Sequence, residues 1–434
     1  MLFTFHFSLF TVTFPAALPI PDAVLTIARR LQEAGYETWC IGGAVRDNLL
    51  GSANHDFDLG TAATPDVVQK LFRRTVPIGV KHGTVAVLDD AGGQHEVTTF
   101  RRDVKTDGRH AEVEFGVSLE EDLARRDFTI NAIAYHPLRH EWRDPFDGHG
   151  DLIERKVVRA VGDPRQRFRE DYLRIVRALR FSARFGFPIE DATWEAARAE
   201  IEGLKQLSAE RVRDEWFKGL ETARAPSVLL DLWNRVGAVD LWLPEVVQRA
   251  GFSVQRDGGV MDGLPGRDPV LITAYLSGDP EGTLRRLRCS NAEIERGRRI
   301  GEFREAWPAV VTDVSVRHWL AEVGGAADDL LAIALAEGWG GEVADVAARV
   351  RHSRAPLTLA DLALRGTDLV ELGVKEGPDI GVVLDALLDL VLEHPELNTR
   401  GALLHEVTKL TGEMPIPPEV RKRVTDSIRR SEGT

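Results

Sequence analysis

Residues 38–60 contain Thr38-Trp39-Cys40-Ile41-Gly42-Gly43-Ala44-Val45-Arg46-Asp47-Asn48-Leu49-Leu50-Gly51 and, four residues later, Asp56-Phe57-Asp58-Leu59-Gly60. Thr38–Ile41 is apolar and β-prone, so Gly42-Gly43 fall where a strand ends. The next seven residues have helical spacing and stop at Gly51. Two glycines opening a helix let backbone N–H groups approach an anion closely, and the helix start adds partial positive charge. That suits a triphosphate, with Arg46 one turn in as a clamp. Asp56 and Asp58 are two apart, so on a strand both carboxylates face one side. Paired hard oxygen ligands on a rigid face suit Mg²⁺ bound together with substrate phosphates.

Each part alone has a plain alternative: a Gly-Gly is often a turn, and an Asp-x-Asp is often a solvated edge. Their order within some twenty residues resembles the polymerase-β nucleotidyltransferase superfamily, and specifically the class II tRNA nucleotidyltransferases, or CCA-adding enzymes, with the bacterial poly(A) polymerases. The resemblance implies an α+β head, a mixed β-sheet with flanking helices, followed by an all-α trunk. It also implies template-independent addition of CCA to the 3′ end of tRNA from CTP and ATP. The reaction would be two-metal phosphoryl transfer, with Asp56 and Asp58 as metal ligands, Gly42, Gly43 and Arg46 at the nucleotide, and pyrophosphate leaving. Such sites usually carry a third carboxylate on a neighbouring strand. Glu96, in Gln94-His95-Glu96-Val97, is the candidate, with sheet decoration as the alternative. His82 reads as packed or substrate-facing rather than as a ligand.

Arg125-Arg126-Asp127-Phe128-Thr129-Ile130-Asn131-Ala132 matches the family pattern throughout. The resemblance assigns Arg126 to phosphate or ribose and makes Asp127 an acceptor for a ribose hydroxyl; the alternative is an ordinary N-terminal capping arrangement before an apolar helix. A third signature runs from Glu170 to Arg180. Laid on one helix at about 100° per residue, Tyr172, Ile175, Leu179 and Ala183 form an apolar stripe, with Asp171, Arg174, Arg177 and Arg180 on the other half. Asp171 and Arg174 are one turn apart. An acceptor beside a donor complements the base edges of cytosine and adenine and leaves both groups unpaired against uracil or guanine. The family motif gives this base-reading role to Asp171 and Arg174. Arg177 joins the nucleotide-binding set, and Arg180, further round, reaches phosphate or RNA. The alternative is an i,i+3 salt bridge worth a few tenths of a kcal/mol.

Arg101–His110 reads as a polar link between two strands, and the resemblance makes it a loop that helps switch specificity from C to A. Asp144–Gly148 with Asp151-Leu152 matches a hinge, and Leu207-Ser208-Ala209-Glu210-Arg211 a supporting neck motif. The resemblance is specific from about 36 to 216. Five segments are expected: an N-terminal extension 1–21, a catalytic head 22–153, a base-reading neck 154–222, a body 223–330 and a tRNA-binding tail 331–434. Within these, strands are expected at Thr38–Ile41, Asp56–Leu59, Gly83–Leu88, Gln94–Phe100 and Ala111–Val117, and residues 250–268, rich in Gly and Asp, read as a loop or seam.

The net charge of −13 argues against indiscriminate coating of nucleic acid. Between Arg155 and Arg184, however, ten Lys/Arg face three acids and form a candidate electrostatic footprint. Two cysteines cannot make a disulfide framework, which fits a cytoplasmic enzyme. The apolar, Phe-rich start lacks a positive n-region and reads as a frayed extension, or as a start codon placed too far upstream, rather than as a signal peptide. Two rivals to CCA addition stand on the same residues: a poly(A) polymerase or A-adding enzyme, and a non-catalytic RNA-binding protein with a degenerate head.

Overall fold

The computed structural model describes residues 13–79, 83–106, 111–248, 251–371, 374 and 377–412. The first residues to take regular form are α1 (Asp22–Glu33), whose Val24, Ile27, Ala28 and Leu31 are buried along one face. Gly35, at φ +90°, lets the chain leave that helix and enter the sheet. Seven strands form the sheet: β1 (Thr38–Ile41), β2 (Leu59–Thr61), β3 (Thr75–Gly79), β4 (Thr84–Leu88), β5 (Gln94–Thr99), β8 (Ala134–His136) and β9 (Glu141–Arg143), in the order β3-β4-β5-β2-β1-β8-β9. Their pairing is antiparallel except between β2 and β5, which run parallel with Leu59 opposite Val97.

Alternation along β1 divides two cores. Cys40 joins Leu59, Val97 and Tyr135 on the face covered by α1, α2 (Gly43–Leu49) and α3 (Pro65–Leu71). Trp39 and Ile41 point the other way, to Phe100, Leu119 and Leu123. The expected strand at Asp56–Leu59 begins only at Leu59. The alternation nevertheless already holds before it, since Phe57 is buried while Asp56 and Asp58 are exposed.

Several expectations need correction. Arg101–Thr106 is not a link but a strand, β6, paired with β7 (Ala111–Phe115) in a separate two-stranded ribbon. Residues 107–110, and His82, lie outside the described residues. For the Gly- and Asp-rich stretch 250–268 the loop reading gives way to a helix, Val254–Gly263, despite its poor intrinsic propensity, while a boundary between two compact units does fall there, after Asp262. The start of the chain, where described, is not frayed. Phe14 stacks on Trp142 at 4.5 Å, Trp142 Nε1 donates to the Pro15 carbonyl at 3.1 Å, and the Leu18 N–H donates to the Tyr135 hydroxyl at 3.2 Å. Apolar side chains with an exposed β9 beside them gain more by covering it than by remaining in water.

After α4 (Leu119–Ala124), the last two strands and the π-helical turn Gly150–Arg155 the chain is helical. The expected single helix across Glu170–Arg180 is instead two, α5 (Pro164–Glu170) and α6 (Leu173–Phe185), with Asp171 extended between them (φ −155°, ψ 106°). α6 is buried on nearly every side, Arg174 and Arg180 included, rather than along one narrow stripe. α7 (Asp191–Ala199) and α8 (Ala209–Thr222) complete the neck. Contacts divide the chain into two units, one of them residues 1–262 with 267–269 and 285–289, the other the remainder. The second unit is helical, with one apolar cluster around Trp319, Leu330 and Val346 and another around Leu369, Leu387 and Leu404. Among the described residues no helix is long and apolar enough to cross a membrane.

Candidate active site

A cleft of about 430 Å³ lies in the first unit, floored by one face of the sheet. Strand alternation puts Asp58 and Gly60 on that face from the β2 segment, Glu96 and Thr98 from β5, and Thr84 from β4. The Thr84 and Thr98 hydroxyls hydrogen bond at 3.0 Å. Gly60 is required here, because a Cβ would run into Ile41 and Phe100. The Asp58 carbonyl accepts from the Ile41 N–H at 3.1 Å, which ties the acidic segment to β1 one residue before the ladder starts.

Burial in the cleft and the neighbouring Glu96 and Asp56 carboxylates raise the Asp58 carboxyl to about 6, while Arg126 pulls it down. Asp58 still reaches water, so its burial is incomplete, and the two like charges are the firmer cause. Among the described residues no three His, Cys, Asp or Glu side chains lie close enough to form a full metal cage.

The opposite wall is rich in guanidinium groups, with Arg101, Arg125, Arg126, Arg174, Arg177 and Arg211 all lining it. Gly42 (φ +92°) brings the end of β1 close beneath Arg126, whose Nη1 would sit 3.3 Å from a Cβ there. Arg126 Nη2 donates to the buried Asp122 at 3.2 Å, and its Nε is buried with no hydrogen-bond partner among the described residues. An orphaned guanidinium N–H at a cleft wall is a donor awaiting an acceptor.

Asp127 also lines the cleft, but both its oxygens are occupied. Oδ1 accepts from the Phe128 N–H at 2.8 Å and Asn131 Nδ2 at 2.9 Å; Oδ2 accepts from Arg177 Nε at 2.8 Å and Nη2 at 2.7 Å. Burial would raise this carboxyl, yet Arg177, Asn131 and the Phe128 N–H together hold it well below the usual range.

Asp171 and Arg174 share the cleft wall without pairing to each other. Arg174 Nη1 donates to Glu170 Oε2 at 2.7 Å and to the Arg167 carbonyl at 2.9 Å, while Nη2 donates to the Arg125 carbonyl at 3.0 Å. Asp171 Oδ2 accepts from Arg211 Nη2 at 2.7 Å, and Oδ1 caps the Leu173 N–H at 3.1 Å. Arg211, at the start of α8, reads from sequence as structural support. No local spacing pairs it with Asp171, and only the packing of α8 on α6 brings it into the cleft.

Five expected site residues are not among those that line the cleft: Asp56, Gly42 and Gly43, which lie on the segments leading to it, and Arg46 and Arg180, which are buried in ion pairs. Arg46, 4% exposed, is held by Asp47 Oδ1 (2.7 Å) and Asn131 Oδ1 (2.5 Å), against the Phe181 and Phe185 rings. Arg180, 3% exposed, pairs with Glu215 Oε2 at 2.5 Å and lies over Phe181. The basic stretch 155–184 is largely neutralised for the same reason. Arg155, Arg159, Arg167, Arg169, Arg174, Arg177, Arg180 and Arg184 all pair with acids, most of which come from outside the stretch.

Carboxylates on the floor of the cleft thus face a wall of guanidinium groups. Residues 38–159 match the family described as the poly A polymerase head domain, and residues 186–248 the family described as "probable RNA and SrmB-binding site of polymerase A". The CCA-adding enzyme of Limosilactobacillus fermentum is 33% identical over 420 residues, covering 89% of this chain and 96% of that protein. That of Leuconostoc mesenteroides is 47% identical over 207 residues, covering 47% of this chain and 50% of that protein. The structure of the Bacillus stearothermophilus CCA-adding enzyme in complex with CTP superposes with a TM-score of 0.69 at 28% identity, covering 95% of this chain and 98% of that one. The chain belongs to the CCA-adding enzymes, a family of tRNA nucleotidyltransferases.

Proposed function

We propose that this enzyme extends tRNA 3′ ends lacking CCA, taking CTP and then ATP without a nucleic-acid template, and that it does so in the cytoplasm. The observation that carries the site assignment is the facing of Asp58 and Glu96 by Arg126, Arg174, Arg177 and Arg211, with Asp171 beside Arg211, in one cleft. In this reading residues 22–153 catalyse, 154–222 read the base, 223–330 form the body, and the tail 331–434 binds the tRNA.

The donor set fits Mg²⁺. Asp56, Asp58 and Glu96 supply only hard oxygens, and their mutual repulsion, visible in the raised Asp58 carboxyl, is what a divalent cation relieves. Asp56 and Asp58 would hold the ion, which when bound supplies charge stabilisation to the attacking and leaving oxygens. Arg126 lines the cleft as the partner for phosphate or ribose, with Gly42 beneath it and Gly43 opening the helix that follows. Asp127 acts through Arg177, which it orients, rather than by accepting a ribose hydroxyl itself. Asp171 and Arg174 supply the acceptor and the donor for the base edge shared by cytosine and adenine. Arg46 and Arg180 hold the protein together behind the cleft.

The deciding experiment offers tRNA lacking CCA with CTP alone, ATP alone, and both. Two cytidines with CTP alone, and a completed CCA only with both, is the expected result. Adenosine runs with ATP alone would make it a poly(A) polymerase, and no incorporation would make it an RNA-binding relic.

A further inference from the structure

Segment 52–56 has no regular secondary structure, yet it must hold the first of the two acidic side chains in place. Side-chain hydrogen bonds do this, and they lead away from the cleft. The Asp56 N–H donates to Asn54 Oδ1 at 3.0 Å. Asn54 Nδ2 donates to Asp47 Oδ2 at 3.2 Å, and the Asn54 carbonyl accepts from Asn48 Nδ2 at 2.6 Å. Asp47 is 5% exposed and accepts on both oxygens. Arg46 occupies Oδ1, and Arg184 Nη2, in the last turn of α6, reaches Oδ2 at 2.9 Å. Arg184 thus touches the same carboxylate oxygen as Asn54. The ring of Phe185 lies under both Arg46 and Arg184 and fixes them from below. α6 is also the helix that carries Arg174 and Arg177 into the cleft wall. One helix of the neck is therefore linked at one end to the nucleotide side of the cleft and at the other, through two side chains, to the backbone of Asp56.

We propose that Asp47 and Asn54 are positioning residues that relay the seating of the neck helix, through Arg184, to the acidic pair, so that Asp56 and Asp58 take up their cation-holding arrangement only with α6 docked. The inference rests on the reading of that pair as the divalent-cation ligands. Groups behind metal ligands typically change affinity tenfold or more when removed, because they set where the ligand oxygens point.

The test is Mn²⁺ binding to the full chain without nucleotide, followed by electron paramagnetic resonance of the free ion. Arg184→Ala and Asn54→Ala should each weaken Mn²⁺ binding about tenfold. Together they should weaken it no more than either alone, since both break one relay. Arg184→Lys, which keeps a cation within reach of Asp47, should recover part of the loss. Arg169→Ala, which removes a neck arginine paired to Glu200, should bind as the parent does. Circular dichroism identifies folded variants. Should Arg184→Ala unfold, Arg184→Lys and Asn54→Ala decide the matter. Unchanged Mn²⁺ binding in the folded relay variants, or additive losses in the double variant, overturns the relay. Asp58→Ala separates the two readings. If it binds Mn²⁺ normally, the acidic pair is not the cation site; if it loses Mn²⁺ while the relay variants do not, only the relay is wrong.

Discussion

Asp171 is paired with Arg211, forty residues on, and not with Arg174, three residues on: Arg211 Nη2 meets Asp171 Oδ2 at 2.7 Å while Arg174 turns to Glu170. The cause is the break between α5 and α6, which places Asp171 on extended backbone and removes it from the helical face it would have shared with Arg174. The acceptor of the proposed base-reading pair is thus set from α8, and its donor from the end of α5.

Asp171→Ala should weaken base selection. The correct bases lose a charge-assisted hydrogen bond of roughly 1.5–3 kcal/mol, whereas a carbonyl edge no longer meets a carboxylate. Single-turnover rates with CTP and ATP should therefore fall by about tenfold or more, and those with UTP and GTP by less. Equal loss with all four nucleotides would reduce Asp171 to a neck salt-bridge partner.

Asp56→Ala and Asp58→Ala should each stop incorporation of both CTP and ATP, because every transfer step needs the same oxygens. tRNA affinity, measured by filter binding, should hardly change. Turnover above about a tenth of the parent in either variant would remove these residues from the catalytic centre.

The ribbon β6–β7 restricts where a specificity loop can be cut. Replacing residues 103–110 would destroy paired strand at Asp103–Thr106, so the informative exchange is residues 107–110 for Gly/Ser alone. C addition should survive and terminal A addition should drop. Parallel loss of both would make the segment structural.

His136 makes stability depend on pH. Burial, with Arg139 nearby, lowers its imidazole to about 4. Its Nδ1 accepts from the N–H groups of Leu138 (3.3 Å) and Arg139 (3.1 Å), which only the neutral ring can do. The unfolded chain protonates near pH 6.5 and the folded one near 4, so the contribution is complete above pH 6.5 and is lost as pH falls through 4. The shift corresponds to roughly 3 kcal/mol. Urea denaturation from pH 7 to 4 should show that decline and His136→Asn should flatten it; identical slopes would exclude His136 as the source.

What the sequence by itself determined is what neighbouring residues decide. The β1–Gly-Gly–α2 unit follows from an apolar run, a glycine at φ +92° and helical spacing. The exposure of Asp56 and Asp58 on either side of a buried Phe57 follows from period-two alternation, although the strand proper starts only at Leu59. Both are local, so spacing along the chain encodes them. The composition of Val254–Gly263 was misleading because packing outweighs weak propensity. Only the tertiary structure decided which acid each arginine meets. Arg177 takes Asp127, Arg180 takes Glu215, Arg184 takes Asp47, and Asp171 takes Arg211. A buried guanidinium must find a carboxylate within hydrogen-bond reach or remain desolvated at a cost of several kcal/mol. Which one lies there depends on how the helices cross the sheet, not on how far apart the residues stand in the chain.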